Sequence, residues 1–260
     1  MRVVLAMMMG ILVWSSPVAA QERVDIELVI AVDVSGSMSR DEHDTQRRGF
    51  LAAFADKQLI AAITSGIRGR IAVTYIEWAG GGLQHILVPW RIISDRSSAL
   101  AFRDILATKP RSPIRGTSIS SALDFSEKLF DRNGIESFRR VIDVSGDGPN
   151  RTGPELRPIR ERVLRKGIII NGLPIMLAPA MQRGADGYGL DQYFKDCVIG
   201  GPSSFVFPVQ KKTELAEAIR RKLILEISGR PARVMHANSV IKSAANNVDC
   251  ELARYDFEDW

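Results

Sequence analysis

The chain is short of the residue types on which most enzyme and metal chemistry rests. Its 260 residues hold two cysteines and three histidines. So little cysteine excludes a disulfide-scaffold miniprotein, and no Cys-x-x-Cys pair is present. The sequence also lacks a Gly-x-Ser-x-Gly nucleophile elbow, a phosphate-cradling Gly-Lys-Ser/Thr loop and a His-Glu-x-x-His pattern. His85 and His236 have no partner histidines at metal-ligand spacing. Cations are not gathered on one track: 35 Lys and Arg stand against 30 Asp and Glu, a net of +5, but Arg47-Arg48, Arg139-Arg140, Lys211-Lys212 and Arg220-Arg221-Lys222 are scattered among acids. Phosphate backbones need converging cations, so these read as solvated faces and nucleic acid is not an expected partner. No repeat of solenoid length and no low-complexity tract occurs.

What is there begins with an address. Met1-Arg2, an apolar run from Val3 to Trp14 and a break at Ser15-Ser16-Pro17 before Val18-Ala19-Ala20 describe a secretory signal peptide cleaved after Ala20. The apolar run is shorter than the ~20 residues of a spanning helix, and no later segment is long and apolar enough to cross a membrane. The expectation is a periplasmic or secreted protein with a domain over 21–229 and a tail over 230–260. Loss of Arg2 leaves 34 − 30, a net of +4. In an oxidising compartment Cys197 and Cys250 can pair, tethering the tail; the alternative is two buried thiols. Closing a loop of that length would contribute roughly 4 kcal/mol in the chain-entropy model. At 45% hydrophobic residues the chain can bury a sizeable core.

Strand and helix patterns alternate. Buried-strand patterns cover 27–34, 70–78, 140–145 and 168–176, with an edge strand over 86–93 interrupted by Pro89 and a short strand over 205–209. Helical patterns cover 40–64 behind a capping box at Ser39 to Glu42, then 95–107, 117–130, 155–166 and 211–228. The stretch 178–203 reads as an elaborated loop. This predicts an α/β fold: a doubly wound, mostly parallel sheet with helices on both faces and one antiparallel edge strand from the hairpin around Gly80-Gly81-Gly82.

In such a sheet, ligands bind where loops leave the carboxyl ends of central strands. Three polar clusters fall there: Asp33-Val34-Ser35-Gly36-Ser37, Gly116-Thr117-Ser118 and Gly146-Asp147-Gly148. All offer hard oxygen donors, which suit Mg²⁺ or a similar divalent ion such as Mn²⁺ or Ca²⁺. The carboxylates would balance the ion's charge while hydroxyls complete its shell, leaving one position for an outside oxygen.

Asp33-x-Ser35-x-Ser37, Thr117 at a glycine-led helix start and Asp147-Gly148 after a buried strand resemble the metal-ion-dependent adhesion site of von Willebrand factor type A domains. The resemblance spans residues 24 to 228 in order and spacing. The export signal and the phrase Val144-Ser145-Gly146-Asp147-Gly148-Pro149-Asn150 are also similar to an uncharacterised family of secreted bacterial proteins of this type. The resemblance implies that Ser35 and Ser37 bind metal directly, Thr117 directly or through water, and Asp33 and Asp147 largely through water. It implies a protein partner that supplies an acidic side chain to the remaining position. Asp143, in a stretch that mirrors the one around Asp33, competes with Asp147 for the metal. Asp147 is preferred because its Asp-Gly-Pro-Asn run matches the family's loop.

Two other functions compete. A basic surface could hold an anionic envelope component, with the metal only stabilising the loops. A metal-dependent hydrolase could use His43 as general base, but His43 lies just inside the first helix and reads as a polar helix residue. The expectation is therefore a binding module with no catalytic residues.

Overall fold

The computed structural model describes residues 21–80, 82–110, 116–179, 182, 188–229 and 250–251. The expected signal peptide, residues 180–181 and 183–187 of the 178–203 loop and nearly all of the tail lie outside the described residues.

Five strands form one sheet in the order β3-β2-β1-β4-β5. They are β1 (Glu22–Asp33), β2 (Ile71–Trp78), β3 (Gln84–Ile93), β4 (Ile135–Gly146) and β5 (Ile168–Pro174). Only the β2–β3 pair is antiparallel. Pro89, which has no N–H to donate, falls on β3 at the sheet edge. The expected fold class is therefore the observed one.

Side-chain alternation sends the strands' apolar residues to two cores. Ile26, Leu28, Ile30 and Val32 of β1, with Val73 and Tyr75 of β2, meet helices α1 (Arg40–Ala53), α2 (Lys57–Thr64), α3 (Arg96–Thr108) and α7 (Leu215–Ser228). Val29 and Ala31, with Ile76 and Trp78, meet α4 (Ile119–Leu129), α5 (Leu156–Arg165) and α6 (Leu190–Tyr193), which continues as a π-helical turn over Phe194–Val198. On α7 the stripe Leu215, Ile219, Leu223 and Ile227 is buried, as its spacing predicts.

Two expected elements come out differently. The helix over 40–64 is two helices, because Asp56 turns its carboxylate onto the Gln58 and Leu59 amides and starts α2 as a new N-cap. The strand over 205–209 is not a strand. That stretch runs beside β5 with only isolated bridges, Gly172 to Val206 and Ile175 to Val209, since Pro208 cannot donate to a continuous ladder.

Candidate metal centre

Chain order moves from β1 outward to β2 on one side and later to β4 on the other, so β1 and β4 flank the point where the sheet's winding reverses. Loops leaving their carboxyl ends diverge there and open a crevice. Asp33 ends β1, Gly146 ends β4, and the Ser39 capping box fixes where α1 begins: the Ser39 hydroxyl accepts from the Glu42 amide at 3.3 Å and Glu42 Oε2 accepts from the Ser39 amide at 2.7 Å. The serine loop between Asp33 and α1 is held at both ends.

Within it, Asp33 Oδ1 accepts from the Ser35 amide at 2.7 Å. The Ser37 hydroxyl donates to Asp147 Oδ1 at 2.8 Å, so its single proton is used, and the 3.0 Å contact between the Ser35 and Ser37 hydroxyls has Ser35 as donor. A relay of hydroxyls thus joins β1's loop to β4's. Asp33, Ser35 and Asp147 are buried while Ser37 is exposed, which leaves the crevice open on the Ser37 side.

Two carboxylates share this buried corner and no Lys or Arg among the described residues pairs with either. Burial first, and then the neighbouring Asp147 carboxylate, push the Asp33 carboxyl up to about 8 against the pull of its Ser35 hydrogen bonds. Burial raises Asp147 as well, opposed by its Ser37 hydrogen bond and by His43. Asp33 Oδ2 is buried with no hydrogen-bond partner. A Cβ on Gly146 would lie 3.2 Å from that oxygen and 3.3 Å from the Trp78 ring, so the close approach of β4 to Asp33 depends on glycine. An unpartnered carboxylate oxygen, a second carboxylate and two hydroxyls with free lone pairs fit a small divalent cation. Among the described residues no three His, Cys, Asp or Glu side chains are placed to share a metal. A cation here therefore depends on the hydroxyl oxygens.

Thr117 is buried beside Ser118, the N-cap of α4. Its carbonyl accepts from the Arg151 and Thr152 amides at 3.0 and 3.1 Å, which ties the Thr117 loop to the loop that follows Asp147. His43 Nε2 lies 3.2 Å from the Ser35 carbonyl, which can only accept, so the imidazole donates there and braces the serine loop.

Asp143 stands apart from this cluster. It pairs in register with Ile30, three residues before Asp33, and shares the face of Val141, the opposite face from Asp33. There it meets Lys222 of α7 in a buried ion pair.

Sequence reasoning passed over the second layer. Asn150 accepts from the Ser120 amide and hydroxyl at 3.0 and 3.1 Å, and its own amide donates to the Tyr193 hydroxyl at 3.1 Å. Tyr193 in turn donates to the Cys250 carbonyl at 3.3 Å, and Cys250 is bonded to Cys197 as expected. Only the Asp-Gly-Pro-Asn run hinted that Asn150 had a place.

The family described as a protein of unknown function, DUF1194, matches residues 23–231. The chain belongs to that family. No curated protein matches this DUF1194 chain. Among solved structures it is similar to proximal thread matrix protein 1 from the mussel byssus with a zinc-occupied MIDAS motif, at 11% identity and a TM-score of 0.56, covering 78% of this chain and 46% of that one. It is also similar to a von Willebrand factor type A protein from Catenulispora acidiphila, at 18% identity and 0.52, covering 78% and 43%. A third is the pilus adhesin SpaC from Lactobacillus rhamnosus GG, at 13% and 0.52, covering 80% and 31%. The DUF1194 chain spans less than half the length of each. Likeness at such identity establishes a shared fold, that of von Willebrand factor type A domains.

Proposed function

We propose that this protein is an exported binding module that captures a protein partner through a divalent ion, with Mg²⁺ as the first candidate. Ser35, Ser37 and Thr117 supply hydroxyl ligands, and Asp33 and Asp147 supply negative charge, largely through water. The open position takes an acidic side chain from the partner. The observation that carries the reading is the pair of buried carboxylates, Asp33 and Asp147, joined through the Ser35 and Ser37 hydroxyls with no Lys or Arg among the described residues pairing either. Two like charges in a desolvated corner are costly unless a cation joins them. The zinc-occupied site of the mussel protein, on the same fold, supports it.

In this reading residues 1–20 are a cleaved export signal, 21–229 the working domain, and 230–260 a tail held back by its disulfide in the periplasm or outside the cell. No catalytic role is assigned. His43 already donates to the Ser35 carbonyl, which suits a loop brace better than a general base.

Calorimetric titration with Mg²⁺, coupled to a pull-down from envelope extract, tests the proposal. Asp33→Ala and EDTA should each abolish capture while circular dichroism stays that of a folded domain. Capture that survives both would overturn it.

A further inference from the structure

Next to the serine loop the surface opens into a cleft of about 630 Å³ between α1 and the end of α3. It adjoins the candidate metal centre through two residues: Val34, which lies between Asp33 and Ser35, and His43, which braces the Ser35 carbonyl. A ligand seated at Ser37 would have this cleft beside it.

Its charged lining is one-sided. Among the described residues, Arg40, Arg47, Arg48 and Lys109 face one acid, Asp44. These groups differ in how far they are already engaged. Arg47 is buried, with its guanidinium on Glu77 and on the carbonyls of Leu106 and Lys109 at 3.4 and 2.7 Å, so its charge is spent inside the fold. Arg48 reaches the Thr45 hydroxyl at 2.9 Å and Asp41 at 3.9 Å, contacts that are exposed and weak. Arg40 and Lys109 make no ion pair with any described residue. Between the charges lie apolar walls from Leu51, Ala107 and Pro110.

We propose that this cleft binds an acidic segment of a protein, with Arg40 and Lys109 as its carboxylate contacts and the apolar wall packing the segment's backbone and neighbouring side chains. The inference deepens the metal-capture reading and names its partner's chemistry: one acidic side chain for the metal, a second for the cleft. Bounded concave shape favours a peptide over a lipid surface or a nucleic-acid strand, each of which needs cations spread along a track. Two anchors on adjoining sites also make the second contact intramolecular, which raises affinity without new metal chemistry.

Fluorescein-labelled hexaglutamate, which offers carboxylates at every short spacing, is the probe, followed by anisotropy in about 0.1 M salt, where exposed charges still act across short distances. Arg40→Glu with Lys109→Glu should weaken its binding by about tenfold, the scale of one or two exposed charge contacts reversed. Arg23→Glu, at the opposite end of the sheet, should leave it unchanged, and circular dichroism should be the same for all. An equal loss in Arg23→Glu, no loss in the double variant, or binding to vesicles of phosphatidylglycerol but not to hexaglutamate would each overturn the proposal. An EDTA arm separates this inference from the metal reading. If calorimetry finds no Mg²⁺ binding, the metal reading fails alone, while residual peptide binding that depends on Arg40 and Lys109 still supports the cleft.

Discussion

At the scale of residues, the site is a balance between what burial takes from Asp33 and what a cation would return. A carboxyl raised to about 8 holds its proton through the neutral range, and a metal must displace that proton to bind. Mg²⁺ affinity should therefore climb as pH rises towards 8 and level above it; calorimetry across that range checks this, and a flat profile would show that Asp33 takes no part. Gly146→Ala tests the same corner sterically. Its Cβ would press on Asp33 Oδ2 and Trp78, so a loss of about 1–3 kcal/mol in urea unfolding is expected together with weaker metal binding. The meeting of Asp33, Ser35, Ser37 and Asp147 at one crevice was legible in the sequence because each ends a buried strand or lies in the loop that leaves one. The choice between Asp143 and Asp147 was harder, since both sit near the end of β4. Register separates the two: Asp143 faces α7 while Asp147 lies beside Ser37, and a local pattern of residues does not contain the pairing of β4 with β1.

At the scale of elements, Asp143 serves a different end. Lys222 of α7 is buried against it and against Glu226 at 2.5 Å, and Glu226 accepts from Asn171 of β5 at 3.0 Å. The last helix is thereby pinned to two strands by charge as well as by its apolar stripe. Lys222→Met leaves two acids buried without their cation, and should cost about 3–5 kcal/mol in chemical denaturation. Glu226 carries a pH signature too. Burial, and then Asp143, raise its carboxyl to about 8 despite Lys222. The folded form keeps a proton that the unfolded glutamate has lost, so this contribution is complete below the ordinary carboxyl range and disappears as pH rises through about 8. Glu226→Gln should flatten the fall of urea midpoints between about pH 5 and pH 8 relative to the unmodified protein, both measured with EDTA present. An unchanged slope would place the titration elsewhere. Apolar periodicity predicted α7, but it said nothing of Lys222, whose burial depends on Asp143 of β4 as well as Glu226 of its own helix. The split of 40–64 into two helices was readable in principle from Asp56, a capping residue inside an apolar pattern.

At the scale of the whole molecule, the disulfide does more than shorten the unfolded chain. Through Cys250 it brings Glu251 to the start of α5, whose own N-cap residue Glu155 makes no side-chain cap; Glu251 Oε1 accepts from the Leu156 amide at 2.9 Å and lies 3.4 Å from the Arg157 amide. The Cys250 carbonyl also receives the Tyr193 hydroxyl, which holds the Asn150 amide, and Asn150 holds the start of α4. Residues 250–251 thus connect to the loop that follows β4 and the loop that precedes α4, which carry Asp147 and Thr117. The expected export signal and the count of two cysteines were enough to anticipate the bond, whereas this reach was not legible, because hydrogen bonds between distant loops leave no period in the sequence. Cys197→Ser with Cys250→Ser should lose about 4 kcal/mol of stability for a loop spanning 53 residues, read from denaturant midpoints. Tyr193→Phe keeps the disulfide but strands the buried Asn150 amide, at about 1–3 kcal/mol. If the tail acts only as a staple, Tyr193→Phe will lower stability and leave Mg²⁺ affinity alone. Coupling through Asn150 instead requires that affinity fall in Tyr193→Phe at temperatures where the domain remains fully folded, and that adding Tyr193→Phe to Asp33→Ala, a variant expected to have lost Mg²⁺ binding, cause no further change.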